Sequence, residues 1–360
     1  MLVNALKRNV NVCIFVEGSP IGGIDDREAF ILNRLHNHGA QIRSISQDTN
    51  QKIYARYTYD HGKYLIIDSK TVIVESCNWA KTGIPLDPSF GNREWGVVIR
   101  NKIVASYFTQ VFQDDWNPQR CDSWNFTQMN LSIPPDFTLD TTIYSGDYEP
   151  SFPSLTIRSN CTVTPVFSPD TSYQAICDLI DSAQENILIE QLYIYKDWGN
   201  NISPFVERLI TKAQQGVDIN IILNFNPEYD ATNIKCQETK TYLEQYNISV
   251  RFLYTNWSIF TNMHNKGMVV DNRSVLISSV NWNENSVTRN REAGVIIHQK
   301  EVAQYYANVF WYDWTLQPMQ EENLRILGND INETQTFYIV IVFSLTFGII
   351  IRDWRNRKWT

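Results

Sequence analysis

Two short strings in this 360-residue chain can do the same chemistry. "HGK" at 61–63 and "HNK" at 264–266 each set an imidazole two residues before an ammonium: His61 with Lys63, and His264 with Lys266. On an extended strand, residues i and i+2 project to one face, so each imidazole stands beside a fixed cation. Each string is followed by an aspartate (Asp68, Asp271), by a serine and an asparagine (Ser76 and Asn78, Ser279 and Asn281), and by "NRE" ending in Glu94 or Glu292. Two imidazoles, two ammoniums and two carboxamides suit one task, which is holding an anionic tetrahedral group and transferring it. One neutral histidine attacks phosphorus, the other, protonated, delivers its proton to the leaving oxygen, and water then releases the phosphohistidine. Lys63, Lys266, Asn78 and Asn281 neutralise the non-bridging oxygens, so this chemistry requires no metal and no cofactor. Glu94 and Glu292 are candidates to hold an imidazole in the right tautomer and raise its basicity, with structural salt links as the other reading. Asp68 and Asp271 enter the candidate set through the repeat. They fall on the opposite strand face, which argues against partnership with the same imidazole.

The elements that position these groups come twice. "HGKYLIIDSKTVIVESCNWAKTG" (61–83) aligns with "HNKGMVVDNRSVLISSVNWNENS" (264–286), a spacing of 203; "GNREWGVVI" (91–99) aligns with "RNREAGVII" (289–297), a spacing of 198. The match runs on through an amphipathic helix to "VFQDDW" (111–116) and "VFWYDW" (309–314). Upstream, 2–17 corresponds to 209–224 and 29–45 to 239–253, each a helix feeding an apolar strand. Each half therefore reads β-α-β-α-β-β-α, an α/β unit whose sheet is expected to be mixed and mostly parallel. The second half opens with a helix and an apolar strand (168–197) that have no counterpart before Met1. That mismatch leads us to expect roughly 40 further residues, with an export signal, ahead of this sequence. The tryptophans Trp79, Trp116, Trp282 and Trp314 read as core, and His36, His38 and His298, which lack repeat partners, as surface or structural.

The chain carries a net charge of -8, which argues mildly against broad nucleic-acid coating. Six cysteines show no CxxC pair and no Cys/His cluster, so a zinc site is not expected. Eight Asn-x-Ser/Thr sequons, at Asn125, Asn130, Asn160, Asn201, Asn247, Asn256, Asn272 and Asn332, tilt towards an exported protein, in which a Cys121–Cys161 bridge is plausible. Phe337 to Ile351 is an uncharged apolar run followed by "RDWRNRKWT". With its flanks it approaches the roughly 20 residues of a membrane span, and the positive-inside rule sets the basic tail in the cytoplasm and the large domain outside. The expected order is a first half at 1–116, a connector at 117–165, a second half at 166–316, a juxtamembrane segment at 317–336, a transmembrane helix at 337–354 and a cytoplasmic tail at 355–360.

The paired HxKx4D motifs, "HGKYLIID" and "HNKGMVVD", each followed by an Asn-bearing turn and an Asn-x-Glu segment, resemble the phospholipase D superfamily over roughly residues 1 to 316. The resemblance implies two similar α/β/α lobes packed about a pseudo-twofold axis, one shared active site and the two-step phosphohistidine mechanism, with His61 as the nucleophile. It departs from the family at "ESCNW" and "SSVNW", which stand where a GSxN turn is common, with Glu75 the unusual residue. The same centre serves phospholipid hydrolysis, phosphatidyl transfer and nuclease action. The acidic body and the membrane tether favour a phospholipid over single-stranded nucleic acid, and a non-catalytic membrane-anchored binding protein is the third reading. No obligate protein partner is implied.

Overall fold

The computed structural model describes residues 1–85, 91–139, 152–254 and 260–316. The candidate transmembrane helix and cytoplasmic tail lie outside the described residues; among those described, no helix is long and apolar enough to cross a membrane.

In chain order the first half carries α1 (Leu2–Leu6), β1 (Cys13–Glu17), α2 (Asp26–Asn37), β2 (Gln41–Ile45), β3 (Tyr64–Ile67), β4 (Thr71–Glu75), β5 (Gly96–Arg100), α3 (Lys102–Trp116) and β6 (Ser123–Asn125). There follow β7 (Thr162–Ser168), α4 (Ser172–Asp181), β8 (Asn186–Gln191), β9 (Asp197–Trp198), β10 (Asn201–Ile202), α5 (Pro204–Gln214), β11 (Asp218–Phe225), α6 (Asp230–Glu244), β12 (Ser249–Tyr254), β13 (Lys266–Val270), β14 (Ser274–Ser278), α7 (Glu284–Thr288), β15 (Glu292–His298) and α8 (Lys300–Thr315). Local chemistry sets several starts: Asp25 caps α2 by accepting the Glu28 N–H at 2.7 Å, and Asn101 caps α3 through the N–H groups of Ile103 and Val104.

The second half builds one seven-stranded sheet in the order β12-β11-β8-β13-β14-β15-β7. Only β12–β11 and β11–β8 run parallel; the other pairings are antiparallel, which corrects the expectation of a mostly parallel sheet. The misreading has a simple source. The tight turn after each HxK string makes β13–β14 a hairpin, and a hairpin is antiparallel by construction. In the first half the same strands form two separate three-stranded sheets, β1-β2-β6 and β3-β4-β5, because no described strand takes the place that β8 takes between β11 and β13.

The main core lies in the second half, where α4, α5 and the strands bury Ile176, Ile187, Ile189, Phe205, Ile221, Met268 and Trp282 almost completely. Trp282 packs 5.0 Å from the Phe205 ring. Its repeat partner Trp79, expected in the core, is 54% exposed. His36, His38 and His298 are exposed as expected. Within 117–165, which reads as a connector, β6 pairs with β2 and β7 borders the large sheet on β15. All six cysteines are unpaired, so the expected Cys121–Cys161 bridge is absent: Cys121 leads into β6 on one sheet and Cys161 into β7 on another.

Candidate active site

Just ahead of β3 and β13 the two halves exchange extended segments. The Thr58 and His61 N–H groups donate to the Arg289 and Arg291 carbonyls, and the Arg291 N–H donates back to Tyr59. The mirror set joins Thr261 and His264 to the Gly91 and Arg93 carbonyls, with Arg93 donating to Asn262. Backbone pairing thus carries each histidine to the "NRE" segment of the other half. Close approach is helped by Gly267, where an added Cβ would sit 2.3 Å from the Trp95 ring.

The side chains follow the same crossing. His61 Nδ1 lies 2.7 Å from Glu292 Oε2, and His264 Nδ1 lies 2.8 Å from Glu94 Oε1, the second contact less well aligned as a hydrogen bond. Each carboxylate is held in place by its own half: Glu292 accepts from Ser279 Oγ (2.6 Å) and Asn290 Nδ2 (3.1 Å), Glu94 from Ser76 Oγ (2.6 Å) and Asn92 Nδ2 (3.2 Å). A carboxylate on Nδ1 fixes that nitrogen as the protonated one and leaves Nε2 with a lone pair. Lys63 and Lys266 are buried and donate to the His61 and His264 carbonyls respectively, so each ammonium is tied to the backbone of its own histidine.

Burial and crowding of like charge shape the protonation states. Burial, with Lys266 and Lys63 adding repulsion, pulls His264 down to about 4; burial lowers His61 as well, against the pull of Glu292. Burial brings the Lys63 ammonium down to about 8 and Lys266 to about 7. Burial pushes the Glu94 and Glu292 carboxyls up, but the facing histidines and lysines outweigh it and hold both below the usual range. The charges of Lys63 and Lys266 act on each other's histidine, which marks the four groups as one cluster. An anion bound among them would favour the protonated form of each and raise all four values.

Behind the glutamates a second crossing holds the halves together. Arg93 pairs with Asp313 at 2.8 Å, and Arg291 with Asp115 at 2.9 Å. Arg291 also reaches Asp170 at 2.6 Å and the Tyr57 hydroxyl. Sequence reasoning passed over Arg93, Arg291, Asp115, Asp313, Asn92 and Asn290, although each pair recurs at the spacing of 198.

Two candidate pairs need correction. Asp68 and Asp271 have φ of 53° and 52° and each opens a turn whose next residue, Ser69 or Asn272, also has positive φ. Two such residues in succession favour a tight hairpin, and seven residues of extended chain put this turn roughly 20 Å from the histidine. Asp271 there accepts the N–H groups of Gln184, Glu185 and Asn186, a structural task, while Asp68 is exposed. The asparagines also diverge: Asn281 is 5% exposed with Oδ1 unpartnered, whereas Asn78 is exposed.

A family model described as "Cardiolipin synthase, PLD-like domain" matches residues 1–116 and 176–314. The chain belongs to the phospholipase D superfamily. Among its relatives, a cardiolipin synthase of Clostridium perfringens is 24% identical over 293 residues, 78% of this chain and 55% of the relative. The DISARM protein DrmC of Bacillus paralicheniformis is 26% identical over 151 residues, 38% of this chain and 59% of the relative. The chain thus spans less than two thirds of the length of either. The crystal structure of phosphatidylserine synthase from Haemophilus influenzae shares the fold, with a TM-score of 0.58 at 15% identity over 86% of this chain and 74% of that one.

Proposed function

We propose that this phospholipase D superfamily member is a phosphodiesterase acting through a phosphohistidine, on phospholipid head-group phosphodiesters by hydrolysis or phosphatidyl transfer. The observation that carries the reading is the crossed pairing of His61 with Glu292 and His264 with Glu94, which puts two oriented imidazoles and two buried ammoniums in one cluster. His61, with the better aligned carboxylate, attacks phosphorus through Nε2. His264, protonated at Nε2 once the anion is bound, gives that proton to the leaving alkoxide. It then takes a proton from water, whose oxygen displaces His61 from phosphorus and restores both rings. Lys63 and Lys266 carry the charge of the non-bridging oxygens throughout.

The phospholipid reading is supported by the names of the matching family model and of the cardiolipin synthase relative, and by the net charge of -8, which suits a polyanion poorly. We extend it to a membrane-tethered protein with its catalytic domain outside the cytoplasm. The apolar 337–351 run supports this, as does the position of Asn125, Asn130, Asn160, Asn201 and Asn247, all exposed sequon residues.

The test is turnover of bis(p-nitrophenyl) phosphate by the full chain, with acid-quench trapping of labelled enzyme. His61→Ala and His264→Ala are each expected to cost about 10³-fold or more in turnover, with label recovered on the peptide carrying His61. Turnover in both variants unchanged from the parent overturns the mechanism. Phosphatidylcholine vesicles against labelled single-stranded DNA then separate lipid from nucleic acid: cleavage of DNA alone overturns the lipid reading.

A further inference from the structure

The second-half histidine has a support that the first lacks. Between His264 and Lys266 stands Asn265, fully buried, where the first half has Gly62 between His61 and Lys63. Asn265 Nδ2 donates to Glu190 Oε2, and the Asn265 carbonyl accepts the Leu192 N–H at 3.0 Å. Glu190 lies on β8, opposite Gly267 of β13, so it grips the catalytic segment from the neighbouring strand. It is fully buried, and its Oε1 has no hydrogen-bond partner.

The charges around Glu190 do not balance if it is ionised. The charged groups acting on it are Asp313 of α8 and Arg93, and Asp313 already takes the Arg93 guanidinium at 2.8 Å. Its strand neighbour Gln191 is an uncharged amide. Two buried carboxylates would then share one cation, leaving a buried negative charge uncompensated, which costs more than keeping one acid protonated. Arg93 in turn precedes Glu94, the partner of His264, and its carbonyl receives the His264 N–H.

We propose that Glu190 is a positioning residue for His264 and Lys266, held as the neutral carboxylic acid, in which form it fixes Asn265 while Asp313 keeps the guanidinium of Arg93. The direction of its titration agrees: burial and the facing Asp313 charge raise the Glu190 carboxyl well above its ordinary value, and burial raises Asp313 to about 6 against the pull of Arg93. An acid whose value is raised by folding contributes stability that is present at low pH and is lost as pH climbs through the folded value. Ionisation of Glu190 should therefore loosen the segment carrying His264 on the alkaline side.

The activity readout of this proposal rests on the phosphodiesterase reading; the stability readout does not. The experiment compares the full chain with Glu190→Gln and Glu190→Ala, following melting temperature and bis(p-nitrophenyl) phosphate turnover from pH about 5 to about 9. Glutamine is the neutral isostere, so Glu190→Gln is expected to keep turnover within a few-fold of the parent at acid pH and to lose less melting temperature than the parent on going alkaline. Glu190→Ala is expected to lose turnover and stability at every pH. A Glu190→Gln protein as inactive as Glu190→Ala, or one that does not fold, shows that charge is needed and overturns the proposal. So does a pH dependence of melting unchanged from the parent. Should the parent turn over no phosphodiester, the proposed function fails, and the melting profiles alone still decide the state of Glu190.

Discussion

The strands of the two halves carry the same kinds of residue and end in different surroundings. β11 and β13 lie in mid-sheet and are buried along nearly their whole length; β1 and β3, their repeat partners, are half-buried edges. Ile221 is fully buried, and Ile14, which occupies the same place in the repeat, is not. Yet at the site the halves agree closely: in each, a serine and an asparagine hold the glutamate that meets the histidine of the other. The difference teaches that the symmetry of the chemistry is maintained at the crossing between halves, where the histidines, lysines, glutamates and arginines each have a mirror partner, and does not depend on equal sheets beneath. Trp79 and Trp282 mark the contrast at one position, the first exposed beside Glu75, the second sealed against α5.

This comparison can be broken at three levels. The largest effect on stability is expected at the second crossing. Arg93→Ala takes from buried Asp313 the guanidinium it pairs with and should cost about 3–5 kcal/mol in urea unfolding; Arg291→Ala takes from Asp115 its nearest guanidinium, with Arg56 still 3.7 Å away, and should cost somewhat less. A loss confined to one of the two would show that the halves are not held symmetrically. Next, Ile221→Ala opens a cavity in a closed core and should cost about 2–5 kcal/mol. The same change at half-buried Ile14 removes less area from a site water already reaches, and should cost about 1 kcal/mol. Equal losses would mean that β1 is as well covered as β11. The smallest effect belongs to the turns: Asp271→Ala gives up three backbone N–H partners, at about 1–3 kcal/mol. Asp68→Ala, on the exposed mirror turn, puts alanine at a φ of 53° and should cost about 1 kcal/mol, and neither change should touch turnover beyond its effect on folding.

Much of this was legible in the chain. The repeat gave the order of elements, and the pairing of His with Lys two residues on gave the cluster. Ser76, Ser279, Glu94 and Glu292 were legible as groups near the site because they recur at matched spacings. The partners of those glutamates were not, because His61 and Glu292 are 231 residues apart and no periodicity within one half encodes a contact made across two. The parallel bias was misjudged where apolar runs of β3, β4, β13 and β14 carry no alternation to betray strand direction. The aspartates of the motif misled because recurrence alone does not separate a residue that a turn requires from one that the reaction requires.

The central claim is that each histidine answers to the glutamate of the other half. It is tested most directly by following the imidazole nitrogen resonances of His61 and His264 in the parent chain, in Glu292→Gln and in Glu94→Gln. The crossed pairing predicts that Glu292→Gln shifts the tautomer and titration of His61 more than those of His264, and that Glu94→Gln does the reverse. If each substitution instead disturbs the histidine of its own half, the crossing is wrong.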